Sequence, residues 1–190
     1  MIVKTQATIE DLYQEPGKAE LVNGEIVRMS PTGDWPNYAA SEIFVSLRNY
    51  ARKIGKGRGV NDNAAFRADL PNRGSFSPDA AYYVGPKAKM KFFPIPPRFA
   101  AEVRSEGDYG PAAEVAMAEK RRDYFAAGTL VVWDVNLLSK DAVRVFRSSD
   151  PQNPKVYRRG QIAEAEPAVP GWTMPVDDLF EPDDDAGSPV

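Results

Sequence analysis

Cysteine and histidine are both absent from this chain of 190 residues. Without cysteine there can be no disulfides, no thiolate nucleophiles and no zinc sites of the usual kind. Without histidine, every catalytic triad that relies on an imidazole base is excluded as well. Any bound metal is therefore expected to be a hard cation held by oxygen ligands.

Long hydrophobic runs are also missing, although hydrophobic residues make up 43% of the chain. No run approaches the length that crosses a bilayer, and no apolar segment follows residues 1–6 as it would in a signal peptide. We expect a soluble, cytoplasmic protein with no membrane partner. A chain of this size buries one good core, so we predict a single domain over residues 1–180 and a disordered acidic tail over residues 181–190.

The chain also lacks the excess of basic charge that favours nucleic-acid binding. The formal net charge is −3, but six acids lie in the last stretch, and without these six the remainder carries +3. The six acids are Asp177, Asp178, Glu181, Asp183, Asp184 and Asp185. The charge balance therefore permits a nucleic-acid substrate without favouring one.

The beginning of the chain predicts a short helix followed by a β-hairpin. The helix spans residues 8–13, with Thr8 as its cap. Two short apolar runs, residues 19–22 and 25–29, then flank the pair Asn23-Gly24. An Asn-Gly pair between such runs is the strongest short-range signal for a hairpin.

A long amphipathic helix follows, because apolar residues recur at helical spacing between residues 40 and 54. Asp34 is its predicted cap, and Pro36 lies in its first turn. Its far end and the loop after it carry five basic residues, Arg48, Arg52, Lys53, Lys56 and Arg58. This cluster is either a solvated helix end favoured by the helix dipole or a patch that contacts phosphates.

Two predicted strands each carry an acidic residue. Residues 76–84 are rich in aromatic side chains, and Asp79 lies near the start of this strand. Residues 98–103 form a mostly apolar run, typical of a central strand, that contains Glu102. A carboxylate in such a run is costly unless it is paired, hydrogen-bonded or bound to a metal. The loop between the strands, residues 85–97, is either a plain surface loop or a flank of a substrate groove.

A second helix is predicted between Asp108, its cap, and Gly128. At about 100° per residue, Lys120 falls in the inward-facing stripe. That stripe also contains Ala113, Met117 and Tyr124, whereas Glu114, Arg121 and Arg122 point away from it. An inward Lys120 either reaches a functional pair of carboxylates, or extends past the core edge, or makes a structural ion pair with Glu102.

The remaining sequence predicts more strands and a packed C-terminal segment. Further strands are expected at residues 60–67, 129–135, 141–146 and 155–158, the last of them at a sheet edge. Apolar side chains after residue 166 are expected to pack against the body of the protein; these are Trp172, Met174, Leu179 and Phe180.

Several short motifs occur together in a recognisable order. They are residues 20–27 (ELVNGEIV), 29–31 (MSP), 78–79 (PD), 102–105 (EVRS), Lys120 with Tyr124, Gly128, and 132–134 (VWD). In this order, over residues 5–180, the chain resembles the Uma2 family of restriction endonucleases, formerly a domain of unknown function, within the PD-(D/E)XK nuclease superfamily. The resemblance implies an α/β fold with a restriction-endonuclease-like core, a mixed central β-sheet flanked by helices, and an N-terminal β-hairpin.

The resemblance also implies roles for individual residues. Asp79 corresponds to the aspartate of the PD motif and Glu102 to the second acidic metal ligand. Val103 would contribute its carbonyl oxygen as a further metal contact. Lys120 would stand in for the motif lysine, displaced onto the helix. The implied metal is Mg²⁺ or Mn²⁺.

The chain departs from the family pattern at two positions. Arg104 stands where a lysine is expected two residues after the glutamate, and a guanidinium stays protonated and cannot act as a base. Residues 36–37 are Pro-Asn, where family members often carry a histidine.

The resemblance also implies Glu20 or Glu25 as an accessory carboxylate.

Two hypotheses follow. In the first, the protein is a Mg²⁺- or Mn²⁺-dependent endonuclease acting on DNA, in which Asp79 and Glu102 hold the metal and Lys120 orients water or stabilises the developing charge. RNA is an alternative phosphodiester substrate. In the second, the protein is a catalytically weak or silent relative that binds nucleic acid or serves as an interaction module, as a homodimer through a sheet edge.

Overall fold

Three α-helices and twelve strands form the part of the chain that the computed structural model describes, residues 6–182. The helices are α1 (Ile9–Leu12), α2 (Asp34–Ile54) and α3 (Pro111–Ala126). The strands are β1 (Ala19–Val22), β2 (Glu25–Arg28), β3 (Arg58–Asn61), β4 (Phe66–Leu70), β5 (Arg73–Phe76), β6 (Ala80–Tyr83), β7 (Phe99–Val103), β8 (Val131–Val135), β9 (Val143–Arg147), β10 (Asp150–Tyr157), β11 (Ile162–Glu164) and β12 (Thr173–Pro175). Within these residues no helix is both long and apolar enough to cross a membrane.

A six-stranded mixed sheet lies at the centre of the protein, with the strand order β10-β9-β8-β7-β6-β3. Its middle pair, β7 and β8, is parallel, whereas the neighbouring pairs on either side are antiparallel. A parallel pair needs a long crossover connection, and helix α3 supplies it. The predicted mixed sheet is confirmed, as is the central position of the strand that carries Glu102.

A second sheet is antiparallel and has the order β2-β1-β5-β4. β1 and β2 form the predicted hairpin, with Asn23 and Gly24 at its turn. Both turn residues have positive φ angles, 50° and 71°, as the tight two-residue turns of hairpins require. The sequence prediction of this hairpin is confirmed.

The two faces of the central sheet differ in what they pack against. Phe99, Ala101 and Val103 of β7 belong to the main hydrophobic core together with buried residues of α2. Ala100 instead packs with Tyr124 of α3 in a smaller cluster. Because successive side chains of a strand alternate between the faces, Glu102 lies on the α3 side of the sheet.

The C-terminal segment packs against the body of the protein, as predicted, and the structure shows that it does so on the α2 face. Trp172, Met174 and Leu179 are buried in the main core. Trp172 also donates a hydrogen bond from its indole nitrogen to the Ser46 hydroxyl of α2 over 3.0 Å. The predicted disordered tail falls largely on residues 183–190, which lie outside the described residues.

Two predicted helix caps are wrong. The N-caps are Gly33 and Gly110 rather than Asp34 and Asp108, and neither glycine has a side chain to donate or accept a hydrogen bond. Asp34 is instead the first residue of α2. The Asp108 carboxylate accepts from the backbone nitrogen of Ser105 at 2.7 Å, so it closes the turn before α3.

Two segments that were each predicted as a single strand are split in the structure. The strand predicted over residues 60–67 is two strands, β3 and β4, which belong to different sheets. The strand predicted over residues 76–84 is likewise divided, because β5 ends at Phe76 and β6 begins at Ala80. Residues 77–79 pass between the two sheets, and they include a proline, which cannot donate to a strand ladder. Asp79 consequently lies just before β6, where two sheets meet.

The docking of the C-terminal segment can be tested with one matched pair of leucine substitutions. Leu179 is 1% exposed and Leu138 is 69% exposed. We expect Leu179→Ala to lower the free energy of unfolding by about 2–5 kcal/mol, because it leaves a cavity in the main core. Leu138→Ala should change it by less than about 0.5 kcal/mol. Urea denaturation measures both, and equal effects would contradict the packing described above.

Candidate active site

A cleft of about 820 Å³ lies at the carboxyl end of β7, between α3 and the second sheet. Six residues of predicted function line it: Glu20, Asp79, Glu102, Val103, Arg104 and Lys120. Glu25 is on β2 with an exposed side chain and does not line the cleft. Of the two residues predicted as an accessory carboxylate, Glu20 is therefore the one that lies in the cleft.

Asp79 is fixed at the junction of β6 and β7 by three contacts. Its backbone nitrogen donates to the Ala101 carbonyl at 3.1 Å. One carboxylate oxygen accepts from the backbone nitrogen of Val103 at 2.8 Å. The other oxygen lies 2.5 Å from the ammonium of Lys18. The side chain is therefore held in place by backbone on one side and by a cation on the other.

Lys18 is a cleft residue that the sequence reasoning missed. Its ammonium is also 2.6 Å from Asp62. Burial lowers the pKa of Lys18, but the nearby carboxylates of Asp79 and Glu102 outweigh this effect and raise it above its ordinary value. A signal was present in the sequence, since Lys18 precedes Glu20 by two residues, and residues two apart on an extended chain share a face.

Glu102 is held by two residues that are one helical turn apart on α3. Its carboxylate lies 2.8 Å from the Lys120 ammonium and accepts a hydrogen bond from the Tyr124 hydroxyl at 2.6 Å. Burial raises the pKa of Glu102 to about 7, with Lys120 opposing the rise and the carboxylates of Asp79 and Glu20 adding to it. Glu102 is thus a crowded carboxyl group that titrates near neutral pH.

Lys120 is turned inward, as the helical phase predicted, and its ammonium lies between two carboxylates. It is 2.8 Å from Glu102 and 2.9 Å from Glu20. Burial lowers the pKa of Lys120, but Glu102 and Glu20 together hold it above its ordinary value. Lys120 therefore stays protonated at neutral pH and can stabilise negative charge, but it cannot accept a proton.

Glu20 is buried, and its carboxylate contacts a backbone N–H group and two cations. It accepts from the backbone nitrogen of Ser77 and pairs with Arg73, each at 2.7 Å. Burial raises the pKa of Glu20, but Lys120 and Arg73 overcome this and lower it. Arg73 also pairs with Asp123 of α3 at 2.7 Å. This chain of ion pairs joins the second sheet to α3.

Arg104 faces a separate partner, Asp134 of β8. Its guanidinium makes two hydrogen bonds to that carboxylate, at 2.8 and 3.0 Å, and a further one to Glu114 of α3. Both Arg104 and Asp134 side chains are 1% exposed. Burial lowers the pKa of Arg104, but the hydrogen bonds to Asp134 and Glu114 outweigh this effect, so the pKa is raised above its ordinary value. Arg104 thus fastens β7, β8 and α3 together.

Two of the three charged residues predicted to point away from the core instead reach this cluster. Glu114 pairs with Arg104, and Arg121 lies 3.6 Å from Asp134. The prediction is wrong for Arg121, because its long side chain bends toward a buried opposite charge that helical phase does not reveal. Glu114 keeps 46% of its side chain exposed, and it meets Arg104 at the edge of the cluster. Arg122 has an exposed side chain and pairs with Glu119 on the helix surface.

The charge of the cleft suits a divalent cation. Ion pairs join four carboxylates and three cations that line the cleft, and this leaves a formal charge of −1. These residues are Glu20, Asp79, Glu102, Asp123, Lys18, Arg73 and Lys120, and Asp62 adds a further carboxylate at Lys18. No three acids in residues 6–182 form a ready metal-binding cluster. Mg²⁺ nevertheless commonly binds through one or two carboxylates, with water and substrate phosphate completing its shell, so Asp79 and Glu102 are compatible with it.

We expect Glu102 to make the protein less stable as the pH rises. Its folded-state pKa of about 7 exceeds the ordinary value of 4.5, so the folded protein holds the proton more tightly than the unfolded chain. Stability is therefore lost between these two pH values. Relative to Glu102→Gln, which does not titrate, the native protein should lose about 3 kcal/mol of unfolding free energy across this interval.

Urea denaturation in EDTA at about pH 4.5 and about pH 8 measures this difference. The matched control is Glu106→Gln, since Glu106 is exposed in the loop after β7. Its stability relative to the native protein should be the same at both pH values. A pH-independent difference for Glu102→Gln as well would contradict the raised pKa.

The fold and the cleft can now be compared with known proteins. The Uma2 family model, described as "Putative restriction endonuclease", matches residues 7–177. A solved structure from Anabaena variabilis, described as a putative nuclease belonging to DUF820, has a TM-score of 0.70 and 16% sequence identity, covering 91% of this chain and 97% of that chain. At this identity the likeness shows a common fold. No curated protein matches the chain. The predicted family is confirmed, and because its model spans most of the sequence, the chain belongs to the Uma2 family.

Proposed function

We propose that this protein is a divalent-metal-dependent endonuclease that hydrolyses phosphodiester bonds in DNA. The observation that carries the proposal is the pair of carboxylates, Asp79 and Glu102, presented to one cleft from neighbouring strands with the Lys120 ammonium at Glu102. Membership of a family described as a restriction endonuclease supports the reaction class and makes DNA the proposed substrate.

Asp79 and Glu102 would hold Mg²⁺ or Mn²⁺, with the Val103 carbonyl as an additional contact. When bound, such a metal neutralises charge on the phosphodiester and lowers the pKa of the attacking water. Asp79 is well suited to this position because two backbone contacts fix it. Glu102 is suited because its carboxyl is crowded by like charges, which a cation would relieve.

Lys120 would act on the transition state as a fixed positive charge. Since Glu102 and Glu20 keep its ammonium protonated, it can orient the water or stabilise charge on the phosphorus oxygens, but it does not serve as the base. Lys18 holds a second ammonium at Asp79. Arg104 has no direct role, because its guanidinium is fully engaged with Asp134 and Glu114.

A second function is favoured by one specific observation. Lys18 and Lys120 already neutralise an oxygen of Asp79 and of Glu102, respectively. A protein in which these pairs are too strong for a metal to displace would be catalytically silent and would act as a nucleic-acid-binding or dimeric interaction module. Calorimetric titration with Mn²⁺ distinguishes the two functions, because only the enzyme requires metal binding that depends on Asp79.

We expect the purified protein to cleave DNA in Mg²⁺ or Mn²⁺ and to be inactive in EDTA. Asp79→Asn removes the charge of a fixed carboxylate and should reduce cleavage at least about a hundredfold. Asp69→Asn is the matched control, since Asp69 is 85% exposed on β4, and it should cleave at the native rate. Parallel incubations with RNA test the alternative substrate. Cleavage by Asp79→Asn at the rate of the control would overturn the assignment.

Lys120→Met should separate catalysis from metal binding. Loss of a preorganised positive charge is expected to lower the cleavage rate by about a hundredfold to a thousandfold. Mn²⁺ affinity, measured by calorimetry, should remain the same or increase, because the methionine no longer competes for Glu102. Lys140→Met removes the same charge at an exposed loop position and controls for net charge. If Lys120→Met lost Mn²⁺ binding while Lys140→Met kept it, Lys120 would only maintain the fold of the site.

A further inference from the structure

A second charge cluster lies on the same face of the central sheet, around the carboxylate of Asp134. Three guanidinium groups approach this carboxylate: Arg104 at 2.8 Å, Arg144 at 2.6 Å and Arg121 at 3.6 Å. Glu114 is the other carboxylate of the cluster, and it pairs with Arg104 and Arg144. Among the described side chains, three cations thus share two anions, and the cluster has a formal charge of +1.

Arg121 is the member of the cluster whose charge is least neutralised. Its Nη1 atom is buried without a hydrogen-bond partner, and 3.6 Å is too long for a hydrogen bond to Asp134. Its guanidinium lies over the ring of Phe146, 4.0 Å from the centroid. Burial lowers the pKa of Arg121, whereas the pKa of the fully paired Arg104 is raised.

Arg121 is also part of the wall of the cleft, and 15% of its side chain is exposed. The neighbouring acids of the wall already have partners. Asp123 pairs with Arg73, Glu119 pairs with Arg122, and Asp108 accepts from the backbone of Ser105. An anion that entered this end of the cleft would therefore meet Arg121 as a cation without a strong partner.

The sheet register fixes where this cation lies relative to the carboxylate pair. Glu102 and Asp134 are paired residues of the parallel strands β7 and β8, and their side chains therefore share a face of the sheet. Adjacent strands are about 5 Å apart. The guanidinium cluster is consequently one strand away from Glu102. A linear polyanion with one phosphate at a cation bound by Asp79 and Glu102 would have a neighbouring phosphate near Asp134, where the Arg121 guanidinium lies.

We propose that Arg121 binds a backbone phosphate of nucleic acid lying in the cleft, next to the phosphodiester that would be cleaved beside Asp79 and Glu102. This inference rests on the proposed function for the location of the first phosphate. Arginine suits the role because its planar fork matches the oxygens of a phosphate and is more weakly hydrated than an ammonium. Binding would supply the neutralisation that Asp134 gives incompletely.

The test measures binding of a short fluorescein-labelled DNA duplex to the native protein and to Arg121→Gln, by anisotropy in EDTA. Each phosphate contact contributes about 0.9 to the slope of log affinity against log salt concentration. Between about 50 and 200 mM salt, Arg121→Gln should therefore show a slope smaller by about 0.9 and weaker binding throughout. Arg158→Gln is the matched control, because Arg158 is an exposed arginine that pairs with Asp141, and its slope should equal the native slope.

Stability distinguishes ligand binding from a purely structural role. Because Arg121 is poorly paired and only 15% of its side chain is exposed, Arg121→Gln should unfold in urea at a concentration equal to or higher than the native midpoint. Asp134→Asn, which removes the charge that the buried Arg104 guanidinium pairs with and that Arg144 and Arg121 approach, should unfold much earlier. A loss of stability in Arg121→Gln similar to that of Asp134→Asn would overturn the proposal, as would an unchanged salt slope.

The outcome for Arg121 is separable from the outcome for the enzyme. If the protein cleaves DNA in Mn²⁺ but the salt slope does not depend on Arg121, the inference fails and the proposed function stands. If binding in EDTA depends on Arg121 but no cleavage occurs with any metal, the phosphate site stands and the enzymatic function fails.

Discussion

The ammonium of Lys120 lies between the carboxylates of Glu102 and Glu20, and the rest of the site depends on this contact. A buried charge without partners costs several kcal/mol. Helix α3 can pack against the sheet here only because β7 and β1 each present a carboxylate to it. The same ammonium allows two carboxylates to be buried side by side. Three elements distant in sequence are thus held at one point, and Arg73 with Asp123 fastens the same junction at a second point.

The alternation of side chains along the strands separates the stability of the protein from its chemistry. On the α2 face, β7 and β8 contribute Phe99, Trp133 and neighbouring apolar residues to the main core. On the α3 face, the same strands contribute Glu102 and Asp134, which are paired across the parallel register. Each carboxylate gathers its own set of cations. The first set leaves an excess of negative charge and the second an excess of positive charge, which suits the metal and the phosphate that we propose for these two places.

The sequence predicted the parts of the site that depend on local pattern. Glu102 was identified as a carboxylate in an apolar run, and Lys120 by its helical phase, and the fold brings both to one cleft. Lys18 and Arg73 were missed because their partners are 61 and 53 residues away. Only the pairing of β1 with β5, and the passage of residues 77–79 between the sheets, brings them together. A local sequence pattern predicts which side of a helix or strand is buried, but it does not predict which other element packs against that side.

The residue two positions after Glu102 is an arginine, and it belongs to the second charge cluster. A residue two positions after Glu102 shares its face of the sheet, so a lysine there would lie near the carboxylate pair. Arg104 instead directs its fork sideways to Asp134, where a bidentate contact is available that an ammonium could not make. That contact draws Glu114 and Arg144 into the second cluster. The positive charge beside Glu102 then has to come from another element, and Lys120 of α3 provides it. Arg104 and Lys120 therefore have complementary positions, since the arginine joins the members of the second cluster and the helix lysine supplies the ammonium of the first.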